Sequence, residues 1–476
     1  MRKLDGLAMA RRVAQEFLAG EVVGLGPGLP GLIPGELPAG AGMFFLAESG
    51  ALGYRIPEES EGRRIPASLG HEGSVGSGGQ GIVLLGGGVA LSLVDLAAMV
   101  HGGHVGTAVL EPAQVTARGD FAHWTSAAAV GLFAPGAAVD WASGAGRLIA
   151  MMPHRGPNGE PNIVAEPSLP LDGAGCVGLI VTDLAVLRVT PGGLVLAELA
   201  PGWRIDDVAA ATGAPLSPAR NVHEMTFELP RLEHPNKVYS SGLDALRDLT
   251  DGAVVNIDGF AGPGGMAHYL LVALRDHGAR DLTIISNTAG IAQVVNFGTP
   301  PGRRAIDHSI LVDNKQVRKA IASYPVSPSA SRPTSFELAF QRGEVELEVV
   351  PQGTLAERLR AGGAGIAAFY TPTGAGTLLA AGKETRRIEG REYVLEHGLV
   401  ADFCLIRGHK ADTLGNVVYR GTSRNFNPVM APAARVTVVE VDEVVAPGGL
   451  GSEEIVTPGV YIDRIVKRPA DFSPYE

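Results

Sequence analysis

Ala253-Val254-Val255-Asn256-Ile257 and, farther on, Asp281-Leu282-Thr283-Ile284-Ile285-Ser286-Asn287-Thr288-Ala289-Gly290 read as two short apolar strands. Between them lie a Gly/Pro loop over 258–265 and a helix-periodic segment over 266–277. Strand, glycine loop, helix, strand is the pattern of parallel strands joined by a right-handed crossover. The second strand stops in a polar elbow at Asn287, ahead of Gly290. Outward from this unit, residues 243–249 are helix-periodic and Thr250-Asp251-Gly252 makes a turn.

The same order occurs near the start of the chain. Residues 4–18 place Leu7, Val13 and Phe17 on an apolar face and Arg11, Arg12 and Glu16 on a polar one, which predicts a helix. A strand over 21–25 leads into Gly26-Pro27-Gly28-Leu29-Pro30, and the apolar run Met43-Phe44-Phe45-Leu46-Ala47 ends in Glu48-Ser49-Gly50. The polar elbows of the two halves are thus Glu48 and Asn287. A carboxylate at the end of a buried strand is costly unless paired or solvated. The carboxyl ends of parallel strands are also where open α/β sheets hold their sites.

The 476 residues suggest two or more domains. Residues 216–237, rich in Pro, His, Arg and Glu and without periodicity, read as a linker. The expected division is a domain at 1–222, a linker at 223–236 and a domain at 237–470, with a loose tail over 469–476. The chain holds 65 Gly and 33 Pro, yet 45% of it is hydrophobic, which points to a folded protein with many tight turns. A net charge of -11 without a basic tract argues against nucleic acid as a partner. No apolar run approaches the roughly 20 residues needed to span a bilayer, so no membrane partner is expected. Cys176 and Cys404 are the only cysteines and lie far apart, which favours buried thiols and a reducing cytoplasm over a disulfide framework.

Several motifs carry two readings each. Gly26-Pro27-Gly28 follows a strand and suits either a phosphate cradle or a tight connection. Gln352, in Pro351-Gln352-Gly353-Thr354, stands at a strand-to-helix junction. There its amide either donates to a ligand oxygen or satisfies the helix start. Gly363 and Gly365 lie in a glycine loop that allows either close approach of a ligand or simple flexibility. His101-Gly102-Gly103-His104 lacks further ligands at metal spacing and reads as a loop, so no metal site is expected.

Together these pieces resemble the family I coenzyme A transferases, the 3-oxoacid CoA-transferase group, over nearly the whole chain. The first half is similar to the B subunit through Gly26–Pro30, Glu48-Ser49-Gly50, His101–Val105 and the run Gly119–Trp124. The second is similar to the A subunit through Asp258-Gly259-Phe260, Ser286–Gly290, Pro351–Arg358 and Lys410–Met430. The halves are fused in B–A order, reversed from the common fused enzymes. Gly24 stands where the family usually has Asn. Met266 replaces a Pro, and Gly136-Ala137-Ala138-Val139-Asp140 replaces Gly-Gly-Ala-Met-Asp.

The resemblance implies an α/β protein of two related domains, each with a mainly parallel sheet flanked by helices. It implies ping-pong transfer of CoA between an acyl-CoA and a carboxylic acid, with short 3-oxo acids as the acid class. Glu48 would be the nucleophile, Gln352 and the amide at Ala137 the oxyanion hole, and Asn287, Gly26, Gly28, Gly363 and Gly365 would bind substrate. Coenzyme A enters as substrate, no cofactor is permanently bound, and a homodimer or higher homo-oligomer is expected. A CoA-thioester or ring hydrolase of the same superfamily, and a non-catalytic CoA-binding protein, are the competing readings.

Overall fold

Strand Phe44–Ala47 pairs in parallel with Val22–Leu25, which pairs on its other side with Thr107–Leu110. Arg147–Met151 and Val177–Val181 extend this parallel centre. All four residues of the Val22–Leu25, Phe44–Ala47 and Thr107–Leu110 strands are buried, as expected where helices cover both faces of a sheet. The computed structural model describes residues 2–38, 40–57, 76, 81–123, 136–258, 260, 265–295, 299–329 and 331–476. Contacts divide the chain into two units, Met1–Pro235 and Asn236–Glu476.

Among the described residues, the sheet of the first unit has ten strands, and its flanks are mixed. Ala51–Arg55 and Val83–Ala90 add antiparallel on one side, and Ala185–Thr190 and Gly193–Leu199 on the other. The outermost strand is Leu216–Glu224, parallel to Gly193–Leu199. This corrects the linker reading, whose first residues form a sheet edge. Pro218 sits in that edge strand, where a missing N–H is tolerated, and the exposed outer face removes the apolar alternation that periodicity relies on.

Helix Gly6–Ala14 is capped by Asp5, whose carboxylate accepts from the Ala8 N–H at 2.9 Å. It buries Met9, Ala10 and Val13. Arg12, expected on the polar face, is buried instead. Its guanidinium makes a two-pronged pair with Glu198 at 2.6 Å from both Nε and Nη2, and a third bond to Glu16 at 2.8 Å. A buried charge is tolerable only with such complete pairing.

In the second unit eight strands are all parallel. Their order runs Val238–Tyr239, Arg464–Lys467, Ala434–Val441, Ala401–Arg407, Val254–Ile257, Leu282–Thr288, Val317–Tyr324, Glu346–Val349. Helix His268–His277 buries Leu270, Leu271 and Leu274 and ends at Gly278, which takes the left-handed conformation that closes many helices. At its start, the Tyr269 and Leu270 N–H groups donate to Glu440 Oε2 at 2.9 and 3.1 Å. Burial pushes the Glu440 carboxyl up to about 7, with Arg407, Arg468 and those two amides pulling the other way. The C-terminal residues are not the loose tail expected. Tyr475 bridges Ala305, the Ile306 N–H donates to the Pro474 carbonyl at 3.0 Å, and Phe472 packs edge-on against Tyr269. Among the described residues, no helix is long and apolar enough to cross a membrane.

Candidate active site

Glu48 follows directly on the buried strand Phe44–Ala47 and is itself half-buried. The chain does not continue into a crossover there. The Gly50 N–H donates to the Ala47 carbonyl at 2.9 Å, and the strand Ala51–Arg55 returns antiparallel. Gly50 has φ +93°, and a Cβ on it would stand 2.2 Å from the Leu91 carbonyl oxygen, so the turn demands glycine. Glu48 is thus held at the tip of a hairpin, at the carboxyl end of the parallel centre.

It faces a cavity of about 80 Å³. Pro27, from the loop after Val22–Leu25, and Glu111, after Thr107–Leu110, form part of the wall. His123 and the turn Gly136-Ala137-Ala138 complete it. Burial raises the Glu48 carboxyl above the ordinary carboxylate range, while His123 and the Trp141 indole N–H pull it back down. His123 Nδ1 lies 3.6 Å from Asp172 Oδ2. Glu111 is likewise raised by burial, and a 2.6 Å bond from the Leu29 N–H opposes that rise. The Gly26–Pro30 loop therefore already holds a carboxyl group from elsewhere in the unit. Gly28, at φ +82°, leaves room for it, since a Cβ there would stand 2.0 Å from Glu111 Oε2.

In the second unit Gln352 opens helix Gln352–Gly363, directly after Pro351. With Phe260, Ala356, Asn425 and Phe426 it lines a cavity of about 260 Å³. Asn287 lies on strand Leu282–Thr288, only 2% exposed, and its carboxamide oxygen has no hydrogen-bond partner among the described residues. The neighbouring Ser286 hydroxyl meets His308 Nε2 at 3.0 Å. Gly363 and Gly365 are not on this cavity. They lie at the other end of the Gln352 helix, roughly 16 Å away at 1.5 Å per residue. There Gly363 packs on Pro432, where a Cβ would sit at 3.0 Å, and Gly365 ends the helix at φ +68°.

Glu48 and Ala137 therefore share one cavity, with Gly26 and Gly28 in the loop behind it, while Gln352 lines another cavity within its own unit. Sequence reasoning assigned no role to Glu111, His123 or Trp141. Glu111 carries the same signal as Glu48, a carboxylate closing an apolar strand. Trp141 is signalled only by the glycine at position 24. Of the runs quoted above, Trp124, Gly259 and residues 261–264 lie outside the described residues. Cys176 and Cys404 are free thiols, each raised by burial, though Cys176 is only partly covered.

The A subunit of 3-oxoadipate CoA-transferase from Pseudomonas putida is 47% identical over 231 residues, which is 48% of this chain and 93% of that protein. The chain belongs to the coenzyme A transferase family. The family model for coenzyme A transferase matches residues 242–468. The A subunit of succinyl-CoA:3-ketoacid coenzyme A transferase from Helicobacter pylori is 44% identical over 232 residues, covering 49% of this chain and 92% of that protein. Among solved structures, an acyl-CoA transferase from E. coli O157:H7 in thioester complex with CoA aligns with a TM-score of 0.42 and 20% identity, over 50% of this chain and 48% of that one. Family membership makes this chain a transferase enzyme.

Proposed function

We propose that this enzyme moves coenzyme A between an acyl-CoA and a free carboxylic acid, with short 3-oxo acids as the acid class, through a thioester on Glu48. The observation that carries the reading is the half-buried Glu48 carboxylate at the tip of a hairpin, facing a small cavity with Ala137 and His123 on its wall. The relatives named above act on 3-oxoadipate and 3-ketoacids, which supports the acid class. The first half acts as the B-like half and the second as the A-like half, and a homo-oligomer is the expected assembly.

The chemistry balances as two acyl exchanges. A Glu48 oxygen attacks the thioester carbonyl carbon, and the C–S bond breaks to give a mixed anhydride and CoA thiolate. The thiolate attacks the Glu48 carbonyl carbon and expels the first acid as its carboxylate, leaving a glutamyl-CoA thioester. An incoming carboxylate runs both steps in reverse. An ionised carboxylate is a suitable nucleophile because its adduct is activated and reversible. The Ala137 N–H and the Gln352 amide are assigned to the oxyanion that forms at each attack, with Asn287 as a further polar contact.

Mass spectrometry after treatment with acyl-CoA tests this: the CoA adduct is expected on Glu48 and absent in Glu48→Gln. Adduct on another residue, or none, sinks the assignment. Incubation with acyl-CoA and a second acid separates the readings. Transfer without release of free CoA is expected, steady CoA release to water would make the protein a hydrolase, and CoA binding without exchange would make it a binding protein.

A further inference from the structure

Gly24 lies in the middle of strand Val22–Leu25, paired with Leu46 on one side and Ala108 on the other. A Cβ on Gly24 would stand 1.9 Å from Trp141 Cζ3, 2.5 Å from Cε3 and 2.6 Å from Cη2. The benzene edge of the indole therefore lies directly against the backbone of the strand, in space that any side chain at position 24 would need. Trp141 is 1% exposed, and its buried Nε1–H has no acceptor within hydrogen-bond distance among the described residues. Buried tryptophan normally finds a partner for that N–H, and leaving it unmade is costly. The ring belongs to helix Ala138–Gly144, whose leading residues Ala137 and Ala138 line the cavity of Glu48. Glu48 in turn stands two residues beyond Leu46, the partner of Gly24.

We propose that Trp141 is the positioning residue for Glu48: Gly24 admits the indole, and the indole N–H steers and holds the ionised carboxylate in the cavity. This rests on the reading of Glu48 as the nucleophile. The carboxylate has His123 and Glu111 as its other ionisable neighbours on the cavity wall, with Asp172 behind His123. His123 and the indole N–H both favour the charged form against burial. The N–H is left without another acceptor among the described residues and pulls the Glu48 carboxyl toward its charged form.

The test uses full-length protein with carbon-13-labelled glutamate carboxyls, the Glu48 signal being assigned by its loss in Glu48→Gln. In Trp141→Phe the Glu48 titration is expected to move up by about one pH unit. The acid limb of kcat/KM should move with it, while the KM for acyl-CoA stays within about twofold. A benzothienyl-alanine at position 141, which keeps the shape and lacks the N–H, should give the same shift and covers the case in which Trp141→Phe folds poorly. Gly24→Ala is expected to lose the native fold, and Gly24→Ala with Trp141→Leu to recover the fold without recovering the Glu48 titration. An unchanged Glu48 titration in the Phe and benzothienyl variants overturns the role of Trp141. Absence of a CoA adduct at residue 48 in the unaltered protein overturns the nucleophile reading instead, and the carboxyl titration still decides the indole.

Discussion

The two elbows make the most instructive pair in this molecule. In the second unit the strand Leu282–Thr288 runs into a long connection and the chain re-enters the sheet in parallel at Val317–Tyr324. In the first unit the corresponding strand, Phe44–Ala47, turns within three residues into an antiparallel partner. A crossover needs a dozen or more residues, and here it follows a strand buried along its whole length, with Asn287 at 2% exposure. A hairpin leaves its tip at the rim, as with half-buried Glu48. A group that must ionise and react needs the rim, whereas a neutral amide tolerates burial. The cavities differ in the same sense: Glu48, Glu111 and His123 line the first, and Gln352, Asn425, Phe260 and Phe426 the second.

The largest expected effect breaks the pair outright. Glu48→Gln should cost on the order of 10⁶-fold in kcat, as removal of a covalent nucleophile does. Asn287→Ala should cost only several-fold, the worth of one hydrogen bond, about 0.5–1.5 kcal/mol. Steady-state exchange rates compare the two, and equal losses would undo the contrast between the elbows. Next in size, Gln352→Ala should lower kcat about 10²–10³-fold with little change in CoA affinity, as loss of one oxyanion donor does. A rate within twofold of the parent would remove Gln352 from the chemistry.

Stability offers an independent contrast. Glu198→Ala leaves Arg12 charged in the interior of the first unit, and urea unfolding should register a loss of about 3–5 kcal/mol. Two of the raised carboxyls, one from each unit, then sharpen the comparison through pH. Glu440 is raised from the ordinary 4.5 to about 7. Its favourable contribution is complete below the unfolded value and is lost as pH rises through the folded one. Relative to the parent, Glu440→Gln should therefore gain stability between about pH 4.5 and 7. Glu48→Gln should gain in the same direction from the start of that window, because Glu48 is also raised. The smallest effect is kinetic. His123→Gln removes a charge that favours ionised Glu48, so the acid limb of the kcat/KM profile should move to higher pH, read from rates across the acid range.

Much of this was legible in the chain. The repeated order of strand, glycine loop and polar elbow marks both halves, because apolar runs of four to seven residues between glycine turns have few other uses in an α/β protein. The linker reading failed at Leu216–Glu224, since an edge strand with exposed residues on its free side carries no apolar alternation. Arg12 looked like a solvated residue because its partner Glu198 is 186 residues away. The Gly26–Pro30 loop looked open to a phosphate, and only the fold brings Glu111 against the Leu29 N–H. Gly24 looked like the loss of a side chain and proves to be the seat of another one, that of Trp141.

What the linear chain determined by itself is the set of local choices: where strands and helices form, where glycine alone can turn, and that Glu48 ends a buried strand. These follow from hydrophobic periodicity and backbone sterics, which act over a few residues. What only the tertiary structure decided is which distant groups meet: Glu111 with the glycine loop, His123 and Trp141 with Glu48, Arg12 with Glu198. Pairings of that kind depend on burial and on the register of strands far apart in the chain, and a carboxyl group's ionisation is set by those neighbours more than by its own place in the sequence.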